Sequence, residues 1–465
     1  MKKPNIEGMD YILSVLDKAE TGPVVDEKDW DRKKIGATVK ELTKEFDIAW
    51  DSDTYLTVDD DLADRLFAAG MELALRSGVY CVNTSRQMLW DRDELAGALD
   101  RAPAEITAGE GDDAVTFRSR RPDDASRVGV IGGAYGTLIS EELFLPLFQA
   151  YAKEPLLEVI ETPSLPTTRG RPTRLGSPME AIVAGQEFEL TSEALRRVGR
   201  PGLATGTAGT SGSEIIELAA TTHEMYRQSD WHHASLLSEQ KVSYADLTRA
   251  VHFAQTGSLV HCFANPIYGG YLGGATGLAI GCVASSIMLR ACLFADSINN
   301  GPSHAHLSID THPDMLAAQG LAVQALARNT HLINSVFVRP AAGPVTRDIL
   351  YENAAFAIIG VVSGAGFAKA SQSASGRFEG HISPLEARFT GQVSHAVEGM
   401  SRKEAQPIVD SLVDKYAAGV AEGRIGKPFQ EAYDLDSLEP TAEWQGLYED
   451  VCAELQDEHG LVLQP

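Results

Sequence analysis

Between about residue 126 and residue 385, short apolar runs alternate with stretches whose apolar positions recur every three to four residues. The runs are Val128–Ile131, Leu157–Glu161, Leu203–Gly206, His232–Leu237, Leu259–Ala264, Ser303–Ile309, Leu332–Val338 and Gly366–Ala370. Between them the longer period predicts helices over Glu141–Ala152, Glu180–Ala184, Glu214–Arg227, Tyr244–Ala254, Leu278–Ala295, Met315–Ala327 and Arg347–Val362. Eight strand–helix repeats within about 260 residues predict an α/β protein built on a (β/α)8 barrel. A doubly wound sheet is the alternative. Residues 1–125 read as a helical extension, with helices over Asp10–Lys18, Lys34–Phe46, Asp59–Gly78 and Arg92–Asp100. Residues 386–465 return to helix, amphipathic over Leu412–Ala421, and are expected to pack on the barrel.

Charge narrows the partners. The chain carries 65 acidic and 40 basic residues, a net charge of −25. Such a surface repels nucleic acid and anionic membranes. Five widely spaced cysteines without a CxxC pair fit packed thiols in a reducing cytoplasm. Leu272–Leu289 is uncharged, but its glycines and the Arg290 that follows suit a buried core helix better than a membrane span. The N-terminus has no apolar segment of signal length, so a cytoplasmic protein is expected.

A barrel places its chemistry at the C-terminal ends of its strands. The richest such end is Gly199–Ser213, GRPGLATGTAGTSGS, a turn, a short strand, a glycine-rich loop and a helix start with Ser213 as N-cap. Its spacing matches neither nucleotide-binding fingerprint. Strand four opens on His232 and His233, which alternation points to opposite faces. Strand five ends in Phe263 and Asn265, followed by Tyr268; strand seven carries Phe337 and Arg339. His304 and His306, two apart on the expected strand six, share a face, and with His233, His261 or His312 they raise the possibility of a metal. No carboxylate stands at ligand spacing, so no bound metal is expected. No Gly-x-Ser-x-Gly elbow is present.

Ordered along nearly the whole chain are DEKDWDRKKI, LFAAGMELALRSGVYC, LISEELFLP, VGRPG at 198–202, NPIYGGYLGG, NNGPSHAH, AAGP, SPLEARFTGQV, GKPFQEAYDL and PTAEW. In these landmarks the chain resembles the monomethylamine:corrinoid methyltransferases. The resemblance implies a TIM barrel, usually a homohexamer, that passes a methyl group from a small amine to the cobalt of a separate corrinoid protein, with no cofactor bound tightly to the enzyme itself. It also exposes departures. The family's pyrrolysine falls on Gly206, its two acidic groups on His233 and Phe263, and its glutamine on Phe337, while His232 and His304 retain family residues. The resemblance therefore implies a pyrrolysine-independent methyltransferase with His233 and His304 as catalytic residues and Gly206, Phe263, Asn265, Phe337, His232 and Tyr268 around the substrate. Gly206 is expected to leave open the space of a long side chain. Monomethylamine is not the expected donor. A quaternary amine fits, since Phe263, Phe337, Trp231 and Tyr268 are the material of a cation cage; a methyl thioether or ether with His233 as proton donor is another fit. The remaining alternatives are a metal-dependent barrel hydrolase using His304 and His306, and a silent member that only binds a ligand or the corrinoid protein.

Overall fold

Seven of the eight expected strands form, and with one unexpected strand they close a ring. The computed structural model describes residues 8–206, 209, 213–222, 225–370 and 372–464. The barrel strands are β1 Gly129–Gly133, β2 Val159–Glu161, β3 Ala204–Gly206, β4 His232–Leu236, β5 Val260–Ala264, β6 Ser297–Asn300, β7 Ile333–Val336 and β8 Phe367–Lys369. All pairings are parallel, β8-β1-β2-β3 in one arc and β4-β5-β6-β7 in the other. A parallel bridge from Gly206 to Trp231 joins the arcs on one side. On the other, the Gly366 amide donates to Asn334 O at 2.8 Å and Ser335 Oγ donates to Phe367 O. The structural neighbours described below share this barrel architecture.

Strand six is the exception. It is Ser297–Asn300, six residues upstream of the expected Ser303–Ile309. The sequence SINN, with two asparagines, lacks an apolar signature, yet all four residues are buried. Ser303–His304 forms instead a two-residue pairing with Ile267–Tyr268 above the barrel, with His306 in the turn that follows.

Polar caps explain where the helices begin. Ser243 accepts from the Asp246 amide, Thr346 from Ile349, and Ser213, as expected, from Ile215. Helix Ala275–Leu293 is the apolar stretch noted above. It is long and apolar enough to cross a membrane, but 94% of that window is buried inside the protein, where it packs against helices Asp60–Ser77 and Pro313–Asn329. All five cysteines are free, four of them buried.

The N-terminal region is less purely helical than the periodicity suggests. It holds a small sheet of Val79–Cys81 with Arg86–Met88 and a hairpin, Glu105–Ala108 with Val115–Arg118. That hairpin closes the bottom of the barrel. Phe117 enters the barrel axis, 5.0 Å from the Trp231 ring and edge-on to Phe367 at 6.3 Å. A Cβ at residue 129 would stand 2.3 Å from Phe117, so the first strand opens on glycine to admit the ring.

Candidate active site

Above this apolar plug the barrel interior turns polar. Alternation points the last residue of β2, the second of β4 and the last of β8 inward: Glu161, His233 and Lys369. Lys369 Nζ lies 2.6 Å from Glu161 Oε1, and His233 Nε2 lies 3.1 Å from the same oxygen. The three side chains are essentially inaccessible to water. Burial alone would raise the Glu161 carboxyl, but Lys369 and His233 outweigh it and hold it near 2. Burial pulls Lys369 below its ordinary value, while Glu161 pulls it back. His261, one strand over, is held well below its ordinary value by burial and by the nearby Lys369 charge.

Aromatic rings cover this polar layer toward the mouth. Tyr135, from the loop after β1, packs 4.5 Å from the His233 ring and edge-on to Phe263 at 5.9 Å. Phe337 follows β7, with Lys369 Nζ at 4.6 Å and the Arg339 guanidinium carbon at 5.3 Å from its ring centre. Arg339 is half-buried. Nε donates to Gln372 Oε1 at 2.7 Å, Nη1 to Ser303 Oγ and Nη2 to Asn265 Oδ1, both at 3.3 Å.

Gly206, at the end of β3, borders Glu161 and His233 directly. A Cβ built there would lie 2.9 Å from Glu161 Cγ and 3.0 Å from His233 Cε1. The expected open space is therefore absent: the Glu161–His233 pair occupies it. Gly206→Ala is expected to lower stability by about 1–3 kcal/mol, the cost of forcing volume into a packed core. Urea unfolding measures it, and a change below about 0.5 kcal/mol, the surface-substitution range, would show that the pair has slack.

The structure thus gathers Gly206, His233, Phe263, Asn265 and Phe337 at one end of the barrel, and it sends other expected residues elsewhere. His232 faces the helix layer, where its ring packs 5.0 Å from Phe253 and Nε2 meets Arg227 O at 2.8 Å; burial lowers its pKa to about 4. Trp231 belongs to the bottom plug. Tyr268 and His304 sit on the loop pairing at the rim, 5.4 Å apart, with His312 4.8 Å from His304. His304 Nδ1 accepts the amides of His306 and Leu307, so the two histidines share a turn and not a strand face. Among the described residues no group of three or more His, Cys, Asp or Glu could hold a metal ion. Thr207, Ala208, Thr210, Ser211 and Gly212 of the glycine-rich loop lie outside the described residues.

Glu161, Lys369 and Tyr135 were missed. A signal existed for two of them: each charged residue sits at the inward phase of an otherwise apolar strand, and Lys and Glu are almost never fully buried unless paired.

The sequence matches the family model described as monomethylamine methyltransferase MtmB over residues 11–461. Monomethylamine methyltransferase MtmB of Methanosarcina mazei is 30% identical over 441 residues, covering 95% of this chain and 96% of that protein. MtmB2 of Methanosarcina acetivorans is 31% identical over 446 residues, covering 96% and 97%. The crystal structure of Methanosarcina barkeri monomethylamine methyltransferase (MtmB) superposes with a TM-score of 0.94 at 30% identity, over 97% of this chain and 98% of that one. The structure of a hydroxylamine MtmB complex fits equally well, with the same TM-score and coverage. A barrel whose strand-end layer is built from Glu161, His233 and Lys369, matched end to end by these proteins, belongs to the monomethylamine methyltransferase MtmB family and is a methyltransferase.

Proposed function

We propose that this enzyme moves a methyl group from a small methylated amine other than monomethylamine to a corrinoid carried by a separate protein. The observation that carries the reading is residue 206. Protonated monomethylamine would have to release ammonia, and the family resemblance assigns the capture of that amine to an electrophilic side chain. Gly206 has none, and Glu161 and His233 fill the volume where one would begin. A quaternary ammonium avoids the difficulty, because its leaving group is a neutral tertiary amine.

A Co(I) corrinoid supplies a strong nucleophile when its carrier docks at the barrel mouth. The methyl–nitrogen bond then breaks with its electron pair left on nitrogen, and the methyl carbon bonds to the pair held by cobalt. No proton moves when the donor is quaternary. The enzyme's part is to hold the methyl carbon in line with the acceptor and keep water away. Tyr135 and Phe263 form the apolar wall suited to this. His233 works from inside the pocket, and His304 with Tyr268 from the rim, where the carrier arrives. The resemblance adds a cytoplasmic homohexamer, which light scattering on the purified protein tests.

The direct test is methylation of reduced corrinoid protein, followed by the loss of its Co(I) absorption. The donors are monomethylamine, dimethylamine, trimethylamine, tetramethylammonium, choline and glycine betaine. Methylation by a multiply methylated donor and none by monomethylamine is expected. Robust turnover of monomethylamine overturns the substrate reading. No turnover with any donor favours a silent, binding-only member.

A further inference from the structure

We infer that Arg339 forms an anion subsite at the barrel mouth, and that the methyl donor is an N-methylated amine bearing a carboxylate. The inference rests on the methyl-transfer reading above and narrows its substrate class. Two cations flank Phe337, and they differ in how they are matched. Lys369 has Glu161 at 2.6 Å. Among the described residues, the side-chain hydrogen bonds of Arg339 go only to neutral oxygens, those of Gln372, Ser303 and Asn265. Two of these are long at 3.3 Å, and a guanidinium has five N–H donors in a fork that suits a carboxylate.

Asp310, the acid whose charge acts on Arg339, makes no bond to the guanidinium among the described residues. Asp310 Oδ1 accepts the Arg339 backbone amide at 2.6 Å, and burial pushes its carboxyl up to about 8 against the pull of the guanidinium. A second guanidinium, that of Arg377, is near enough to oppose the charge on Arg339 further. The mouth therefore holds a half-buried guanidinium with no carboxylate in hydrogen-bond contact among the described residues, on a chain that is acidic overall. A buried charge is costly until it is paired, and an incoming carboxylate would pair it.

The same geometry changes the fate of a quaternary cation. Phe337 already carries Lys369 and Arg339 over its ring, so it is not free to wall a cage. Tyr268 and Trp231 lie on the rim and in the bottom plug. The ammonium end of a zwitterionic donor is left with Tyr135 and Phe263, and its carboxylate reaches toward Arg339 with Asn265 beside it. A donor with no anionic end places its cation near two like charges and gains no compensating pair.

The test compares donors that share a trimethylammonium head: glycine betaine, with a carboxylate, against choline and tetramethylammonium, without one. Binding is read by calorimetry and transfer by the Co(I) absorption. Glycine betaine is expected to bind the wild type at least tenfold more tightly than choline. Arg339→Gln is expected to erase that preference, with KM for glycine betaine rising tenfold to a hundredfold relative to tetramethylammonium, the loss expected of a charge-assisted hydrogen-bonded pair. Arg339→Lys should restore part of it. Equal binding and turnover of the three donors by wild type, with Arg339→Gln leaving their ratio unchanged, overturns the subsite and leaves methyl transfer standing. Arg339-dependent binding of glycine betaine with no methylation by any donor leaves the subsite standing and removes the transfer reading.

Discussion

Replacing Lys369 by methionine is expected to destabilise the protein by about 3–5 kcal/mol at neutral pH, the usual result of removing one partner of a buried ion pair. The reason is the carboxylate left behind. Glu161 is inaccessible to solvent, and without Lys369 only His233, among the described residues, remains within hydrogen-bond reach. The sign with pH separates this from a simple packing loss. In the wild type the Glu161 pKa is depressed to about 2 from an ordinary 4.5. Its contribution is therefore fully present above about 4.5 and disappears as pH falls through about 2. In Lys369→Met, among the described residues only His233 still opposes burial, and the pKa is expected to move above the ordinary value. The variant's deficit should then be largest at neutral pH and shrink as the carboxyl takes up a proton. Urea midpoints measured from about pH 5 to pH 8 check this. The double variant Lys369→Met with Glu161→Gln should regain much of the loss, because both charges are gone and the amide still meets His233. A deficit that ignores pH, or a double variant as weak as the single one, would falsify the ion-pair account.

A second large effect is expected at the opposite end of the barrel. Phe117→Ala should cost about 3–5 kcal/mol, the range for truncating a fully buried phenylalanine. Its ring fills the axis beneath Trp231 and Phe367, directly against Gly129, which has no side chain to take its place. Gly129→Ala makes the opposite error by pushing a methyl into the ring, at about 1–3 kcal/mol. The two errors concern one volume, so they should not add. Phe117→Ala with Gly129→Ala is expected to be no worse than Phe117→Ala alone, because the new methyl enters the space the ring has left. Strict additivity in urea unfolding would show that the hairpin and the first strand do not share that space.

The barrel was legible in the sequence because its strands are buried on both faces and read as short apolar runs between periodic helices. Strand six escaped because Ser297, Asn299 and Asn300 are polar; Asn300 is held by Cys282 O and Ser286 Oγ, which no period records. The apolar-looking stretch from Ser303 then took its place, and with it His304 and His306 were read as strand neighbours. At the site, the inward phase of His233 and the strand ends at Phe263 and Phe337 followed from alternation alone. The charge relations did not. Nothing local says that Glu161 meets Lys369 across two hundred residues, and Gly206 read as vacant space because the occupant of that space comes from two other strands. The N-terminal hairpin was hidden for a similar reason: its stability comes from what Phe117 plugs, which is remote in the chain.

The closure of the ring has a consequence for how this protein is born. β1 waits for β8, more than two hundred residues downstream, as its second neighbour. At roughly 5–20 residues per second, a ribosome takes on the order of ten to fifty seconds to bridge that interval. Until then the first strand is an exposed edge open to wrong pairing, and Glu161 has no counter-ion. β8 resolves both at once, since Phe367–Lys369 pairs with β1 and ends in the cation. A chain cut short before that strand lacks both the seal and the charge. Closing the ring and pairing the Glu161 carboxylate are one event.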